Sequence, residues 1–400
     1  MLSTGSILLV ASASLLALPQ SHGPAVRPAG APDSGTVESG PGESGPGRPI
    51  PTLRIDLPKQ YETLPSGELR DLEVHEIWKP ICTHAERLSP EELARMRLVH
   101  ESLMRRPSHV IDPTPSSAVG SFDVAFTVSG TPPAGATAAL AAAATYIESF
   151  FSDPITININ CSFQPMGAGI LGGTSSSYRN STYASTRTQM VSDMDASDTL
   201  QAFLPTGTTC PVRYASGTGT TNETRVFFTY ANWRAVDGTQ TGTAASMTFN
   251  SNFTFDYDPS NGVTAGTYSF VDIVIHEVGH AMGFTSGVDF RTNDMECLDL
   301  FRFQRTDSTV AADWNPDTTA EFQVRARLVR FNGPEDNHNS DLISAEYRMS
   351  DGSPYQGSHF REQSANIGVM DPAFASGQTF YPNYYSAADR AMFDVIGYDN

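Results

Sequence analysis

Apolar and polar residues alternate with period two through SFDVAFTVSG (121–130) and ITININCSF (155–163), which predicts two strands. Between them Pro133 opens an Ala-rich run, ATAALAAAATYIESFF (136–151), that reads as a helix. The Gly/Ser-rich stretch GAGILGGTSSS (167–177) breaks the alternation and reads as a loop, followed by a helix around 183–194. RVFFTYANW (225–233) and SMTFN (246–250) predict two further strands. The apolar approach Phe270, Val271, Ile273, Val274, Ile275 leads into HEVGHAMGF as a core helix, with Gly283 placed to end it in a left-handed turn. SAADRAMFDVIGYD (386–399) predicts a last helix with Ala388, Met392, Val395 and Ile396 on one face. The order β-α-β-α-β-β-α argues for an α/β fold with a largely parallel sheet.

The first part of the chain is of another character. Ile7–Leu18 is an apolar run too short to span a bilayer, and Ser21 and Gly23 offer the small residues of a cleavage site. Residues 1–23 therefore read as a secretory signal, although no Lys or Arg precedes the run, and a secreted, extracellular protein is expected. Residues 24–50, with the near-repeat ESGPGESGPG, read as a disordered linker. Residues 51–118 read as a pro-segment. Within it, SPEELARMRLVHESLMRR (89–106) predicts a helix with Ser89 as N-cap, Pro90 at its first position and Glu92 closing a capping box. The dibasic pair Arg105-Arg106 suggests processing, which Pro107 would hinder at many proteases. Residues 119–400 are the main domain.

Charge and cysteine content narrow the function classes. A formal net charge of −19 over 400 residues disfavours a phosphate backbone as partner, so no nucleic acid is expected. No later run is apolar and long enough to span a membrane, and a monomer is expected. Sequons at Asn160, Asn180, Asn222 and Asn252 agree with export. The four cysteines, Cys82, Cys161, Cys210 and Cys297, form no C-x-x-C pair, so a thiolate zinc site is disfavoured. In an oxidising compartment Cys161 with Cys210 is the preferred disulfide, and Cys82 with Cys297 an alternative.

The strongest chemical pattern is His276-Glu277-Val278-Gly279-His280. On a helix, imidazoles four residues apart lie one turn apart on one face and can hold one metal ion, while the intervening Glu can act as general base on a metal-activated water. A buried helix with two satisfied histidines is the plain alternative. A catalytic zinc site needs a third protein ligand. The pattern H-E-x-x-H-x-x-G-x-x-H would place it at 286, where this chain has Ser286. Asp289, Glu296, His338 and His359 remain as candidates. His359 stands eleven residues before Met370 (370 − 359), which lies in the tight sequence IGVMDP. Upstream, Asp256, Asp258 and Asn261 before Gly262 suggest either a Ca2+ loop or a plain Asx-rich turn.

These pieces together, H-E-x-x-H-x-x-G-F, a long insertion, then S-H-aromatic with Met eleven residues on, resemble the leishmanolysin-like branch of the metzincins. The closing MDP…AADRAMFDVIGYD, with FTSGVDF and LDLFRF, is similar to a related group of secreted microbial metalloproteases. The resemblance covers about 121–400. It implies an α/β (α+β) two-subdomain metalloprotease: an upper subdomain (119–285) with a mixed, mostly parallel sheet and the active-site helix, and a lower one (286–400) with a Met-containing turn and the C-terminal helix. It implies Zn2+ on His276, His280 and His359, Glu277 as catalytic base, Met370 beneath the metal, and a protein or peptide substrate. It permits a latent form in which Cys82 takes the open metal position. A binding or adhesion protein without turnover, and a zinc hydrolase of a non-peptide substrate, are the competing classes.

Overall fold

The computed structural model describes residues 122–167, 169–194, 200–214, 220–289, 295–303, 320–329, 349–350, 355–361 and 367–400, with the backbone alone of 60–63, 69–72, 81–84, 304, 319, 340–342 and 347–348. All of these belong to one unit, Gly47–Asn400. The expected signal, linkers, 89–106 helix and dibasic pair, and His338, lie outside the described residues.

Six strands, numbered along the chain, make the main sheet: β1 (Ile81–His84), β2 (Asp123–Val128), β3 (Thr156–Gln164), β4 (Ile170–Ser176), β5 (Ala245–Asn250) and β6 (Ala373–Phe374), in spatial order β6-β1-β4-β5-β3-β2. Helix α1 (Ala136–Glu148) connects β2 to its parallel neighbour β3. The period-two reading of β3 holds: Ile157, Ile159 and Cys161 are buried while Thr156, Asn158 and Asn160 face solvent. In α1 the buried positions Ala136, Ala139, Leu140, Ala143, Ala144 and Ile147 form one helical stripe, and its small residues let it lie close against a later helix.

The Gly/Ser stretch read as a loop is instead β4, antiparallel to β5 and deep in the sheet. Low strand propensity is overridden because Gly172 sits where the strand meets that later helix. A Cβ there would lie 3.1 Å from Glu277 Oε1 and 3.4 Å from Ile273 Cγ2. The sheet is consequently mixed: β2–β3, β3–β5 and β1–β6 are parallel, β5–β4 and β4–β1 antiparallel. After helix α2 (Tyr183–Asp193), the expected 225–233 strand ends early. It covers Arg225–Thr229, paired antiparallel with Tyr178–Thr182, and becomes helix α3 (Tyr230–Asp237), because Thr229 Oγ1 caps Asn232 N at 3.1 Å. A second six-stranded sheet includes Cys210–Arg213, Arg302–Gln304 and Arg327–Leu328.

The central element is helix α4 (Phe270–Ala281), in which every residue is buried. Ser269 caps it, and Phe270 anchors its start among Phe163, Phe249, Phe255 and Tyr257. Gly283 ends it as expected, at φ +106°. Short helix α5 (Thr319–Val324) follows, and the last helix, α6 (Ala387–Val395), buries Ala388, Met392 and Val395, with Ile396 just beyond its end. No helix among the described residues is long and apolar enough to cross a membrane.

Several smaller expectations are corrected. Cys161, Cys210 and Cys297 are free and buried. Cys161 lies on β3 and Cys210 on the second sheet, and the preferred disulfide between them does not form; Cys297 is free with its thiol 4.0 Å from Met190 Sδ, while the side chain of Cys82 lies outside the described residues. Asn180 is 4% exposed and accepts from Arg225 Nη1 at 2.9 Å, which removes it as a glycan acceptor. Asn160, Asn222 and Asn252 are exposed.

Asp272, one turn ahead of His276, carries a pH-dependent stability. It is fully buried, and Oδ1 accepts from Thr379 Oγ1 at 3.2 Å and Phe380 N at 3.3 Å. Burial pushes its carboxyl up to about 7, against the opposing effect of these bonds. The folded state therefore holds the proton more tightly than the unfolded chain. The stabilisation is complete below the unfolded value of 3.8 and is lost as pH rises to about 7. At roughly 1.4 kcal/mol per pH unit the displacement is on the order of 4 kcal/mol. Asp272→Asn is expected to gain stability over wild type by that order between pH 4 and 7, with a constant gap above, as measured by denaturant unfolding across pH.

Candidate metal centre

Three imidazoles converge. His276 Nε2 and His280 Nε2 are 3.0 Å apart, and His280 Nε2 and His359 Nε2 are 3.2 Å apart. His276 and His280 come from successive turns of α4. His359 arrives 79 positions after His280 and stacks on His276 at 5.2 Å between ring centroids. All three are buried, and among the described residues they form the one group of three or more His, Cys, Asp or Glu able to hold a metal ion.

The protonation pattern suits a metal. His276 Nδ1 donates to Val369 O at 2.7 Å and His280 Nδ1 to Phe284 O at 2.8 Å. A carbonyl oxygen only accepts, so these bonds put each ring's proton on Nδ1 and leave the Nε2 lone pair facing the cluster. Burial lowers His276 to about 4. Burial first, then the neighbouring rings, holds His280 and His359 well below the usual imidazole range. Neutral imidazole is the form that binds metal. Nitrogens about 2.0–2.1 Å from a tetrahedral ion lie about 3.3 Å from each other, so the observed spacings fit such an ion. With nothing cationic among them, the facing lone pairs would repel.

Glu277, next along α4 from His276, is fully buried, and its Oε2 accepts from Thr174 Oγ1 at 2.5 Å. The same hydroxyl reaches Glu277 O at 3.0 Å, so β4 fixes the carboxylate. Met370 is also fully buried and packs against α4 at Gly279. A Cβ on Gly279 would clash with Met370 Sδ, so the glycine inside HEVGH makes room for the Met370 side chain against the helix. The turn is held by Asp389, the capping-box residue of α6. Its carboxylate accepts from Val369 N (3.0 Å), Met370 N (3.2 Å) and Ser386 N (2.8 Å).

The rival third ligands have other partners. Asp289 accepts from Gly357 N at 2.5 Å, Ser358 N at 2.8 Å and Ser358 Oγ, so it clasps the loop that presents His359. Glu296 accepts from Thr285 Oγ1 and caps a short helical turn at Cys297–Phe301. Ser286 Oγ donates to Asp299 Oδ1 at 2.6 Å and accepts from Arg302 Nη1 at 3.1 Å, and Ser286 N donates to Ser358 Oγ at 3.1 Å. At the 256–262 turn, Asp256 Oδ1 accepts from Asp258 N at 3.1 Å and Asp258 Oδ1 from Ser260 N at 3.1 Å, which is Asx-turn bonding.

Sequence reasoning missed Thr174, because GGTSSS reads as loop, and missed the clasp role of Asp289. Asp389 was missed as well, although Ser386-x-x-Asp389 ahead of an apolar face is the signal of a capping box that could have found it. Comparison with protein-family models, curated proteins and solved structures matched none of them.

Proposed function

We propose that the chain is a zinc-dependent endopeptidase of metzincin type, exported from the cell, with His276, His280 and His359 as metal ligands and Glu277 as general base. The observation that carries this reading is the convergence of three buried, neutral Nε2 atoms beside a buried carboxylate. Zinc bound there would supply a Lewis acid that activates water and polarises the scissile carbonyl. Glu277, oriented by Thr174, takes the proton from the attacking water and returns it to the leaving amine. The carbonyls of Val369 and Phe284 keep the ligand rings in one tautomer and orientation. Met370 would take the place of the methionine beneath the metal that the resemblance implies, and its packing against Gly279 on the metal-site helix supports that role.

Casein hydrolysis by the full chain is expected to stop on treatment with a chelator and to return on adding zinc. Hydrolysis that persists in a metal-free preparation would overturn the assignment.

A further inference from the structure

Asp272 stands four residues ahead of His276 on α4, a rise of about 6 Å, and so lies one turn away on the same face of the helix. An acid in a helix's first turn is ordinary on a surface, where water and the helix dipole hold its charge. Here the residue is fully buried. Oδ1 accepts from Thr379 Oγ1 and Phe380 N, while Oδ2 has no hydrogen-bond partner among the described residues. The groups that act on the carboxyl, the Thr379 and Ser269 hydroxyls and the Phe380 amide, are all neutral. A buried carboxylate with no counter-charge and an idle oxygen is unfavourable unless a ligand group completes it. The same side chain lines a recess whose wall includes Phe374, Gln378, Thr379 and Phe380 and which encloses about 230 Å³ counted to its open mouth. That is below the roughly 300–1,000 Å³ of sites that take a whole small molecule, and suits one side chain of a longer ligand. Phe374 belongs to both the recess and the candidate centre: its ring meets Phe380 at 6.2 Å and His276 at 5.3 Å.

We propose that Asp272 is a specificity-determining residue, and that the recess takes a lysine or arginine side chain of the peptide being cut, with the cation paired to Oδ2. This rests on the endopeptidase reading, since it names the substrate class of that site. The dimensions agree. The helix rise between Asp272 and His276 is within the reach of an extended lysine or arginine side chain, so a cation at Asp272 leaves its own backbone at the level of His276. The rings of Phe374 and Phe380 give the methylene stem an apolar surface to lie on while its head stays charged. A neutral side chain of equal length would fill the recess and leave the carboxylate buried without a partner, which is the penalty that rejects it. An acidic side chain would be rejected by like charge.

The test uses the full-length, zinc-loaded chain at pH 8, above the carboxyl's value of about 7. Two otherwise identical peptide libraries carry either lysine or norleucine at one fixed position, and mass spectrometry reads cutting at the bonds beside it. The lysine library is expected to be cut with a kcat/KM at least about 30-fold higher, the low end of what losing one partner of a buried charge pair costs. Asp272→Asn should erase the difference by slowing the lysine library alone, and Asp272→Glu should keep the preference. A merely structural role for Asp272 would slow both libraries alike. Fluorescein-labelled versions of the libraries, titrated by anisotropy into Glu277→Gln, read binding without turnover: lysine should bind more tightly than norleucine, and adding Asp272→Asn should cancel the difference. A wild type that cuts the two libraries equally, or a Glu277→Gln chain that binds them equally, would overturn the recess, and in the first case the endopeptidase reading would stand without it. A lysine preference that survives Asp272→Asn would also overturn it. Lysine-selective binding that depends on Asp272, with no hydrolysis of either library by any form, would uphold the recess and refute the endopeptidase.

Discussion

Glu277→Gln is expected to lower peptide hydrolysis by about 10²–10⁴-fold, the usual contribution of a positioned general base, with metal content unchanged. The substitution preserves shape and one acceptor oxygen. Thr174 Oγ1 can still donate to the side-chain oxygen, and its bond to the backbone carbonyl of residue 277 is untouched. What disappears is the capacity to take a proton. The three imidazoles take their orientation from Val369, Phe284 and the His359 loop, none of which contacts this carboxylate through a bond that Gln would break. Zinc stoichiometry from elemental analysis should therefore remain that of the wild type while kcat falls. A fall in both would mean that Glu277 holds the metal site together rather than acting on the substrate. Activity within twofold of wild type would remove it from the chemistry.

The division between what the sequence discloses and what it hides follows from the range of the interactions. Elements with a local rule were legible: the period-two strand 155–163, the Ala-rich stripe of α1, the left-handed stop at Gly283, and the face of Ala388, Met392, Val395 and Ile396. The pairing of His276 with His280 is also local, because the helix repeat alone sets it. β4 was hidden because its glycines are selected by contact with α4, a hundred residues away. Propensity therefore argues for a loop where packing requires a strand. The early end of the 225–233 strand turned on one hydroxyl, Thr229, whose capping role competes with its β-branched preference. The pairing of Cys161 with Cys210 failed for the same reason: nearness in sequence says little about which of two sheets a strand joins. The place of β1 in the sheet could not be read at all, since its partners lie some ninety and three hundred residues downstream.

His359→Ala is expected to weaken zinc binding by more than about 100-fold, the upper end of what loss of a supporting outer-sphere group alone costs, and to abolish hydrolysis at ordinary zinc concentrations. The reason lies in how the loop is held. Asp289 clasps Gly357 N and Ser358 N, Ser350 N donates to His359 O at 3.0 Å, and Phe360 N donates to Met370 O at 3.1 Å. None of these uses the imidazole, so the backbone should stay in place when the ring is removed, and the loss is of a ligand rather than of a fold. Two histidines on α4 then remain to hold the ion, below the three protein ligands of a catalytic zinc site. Competition with a chromophoric chelator measures the affinity. Thermal unfolding supplies a second readout, because a ligand that binds only the folded state raises its stability in proportion to RT ln(1 + [L]/Kd). Zinc should raise the melting temperature of the wild type and leave that of His359→Ala nearly unmoved, with the two apo proteins unfolding in similar cooperative transitions. A variant that keeps full zinc affinity and full activity would show that the third ligand is another residue. Asp289 would then be the first to examine, since its carboxylate already touches the two residues that precede His359.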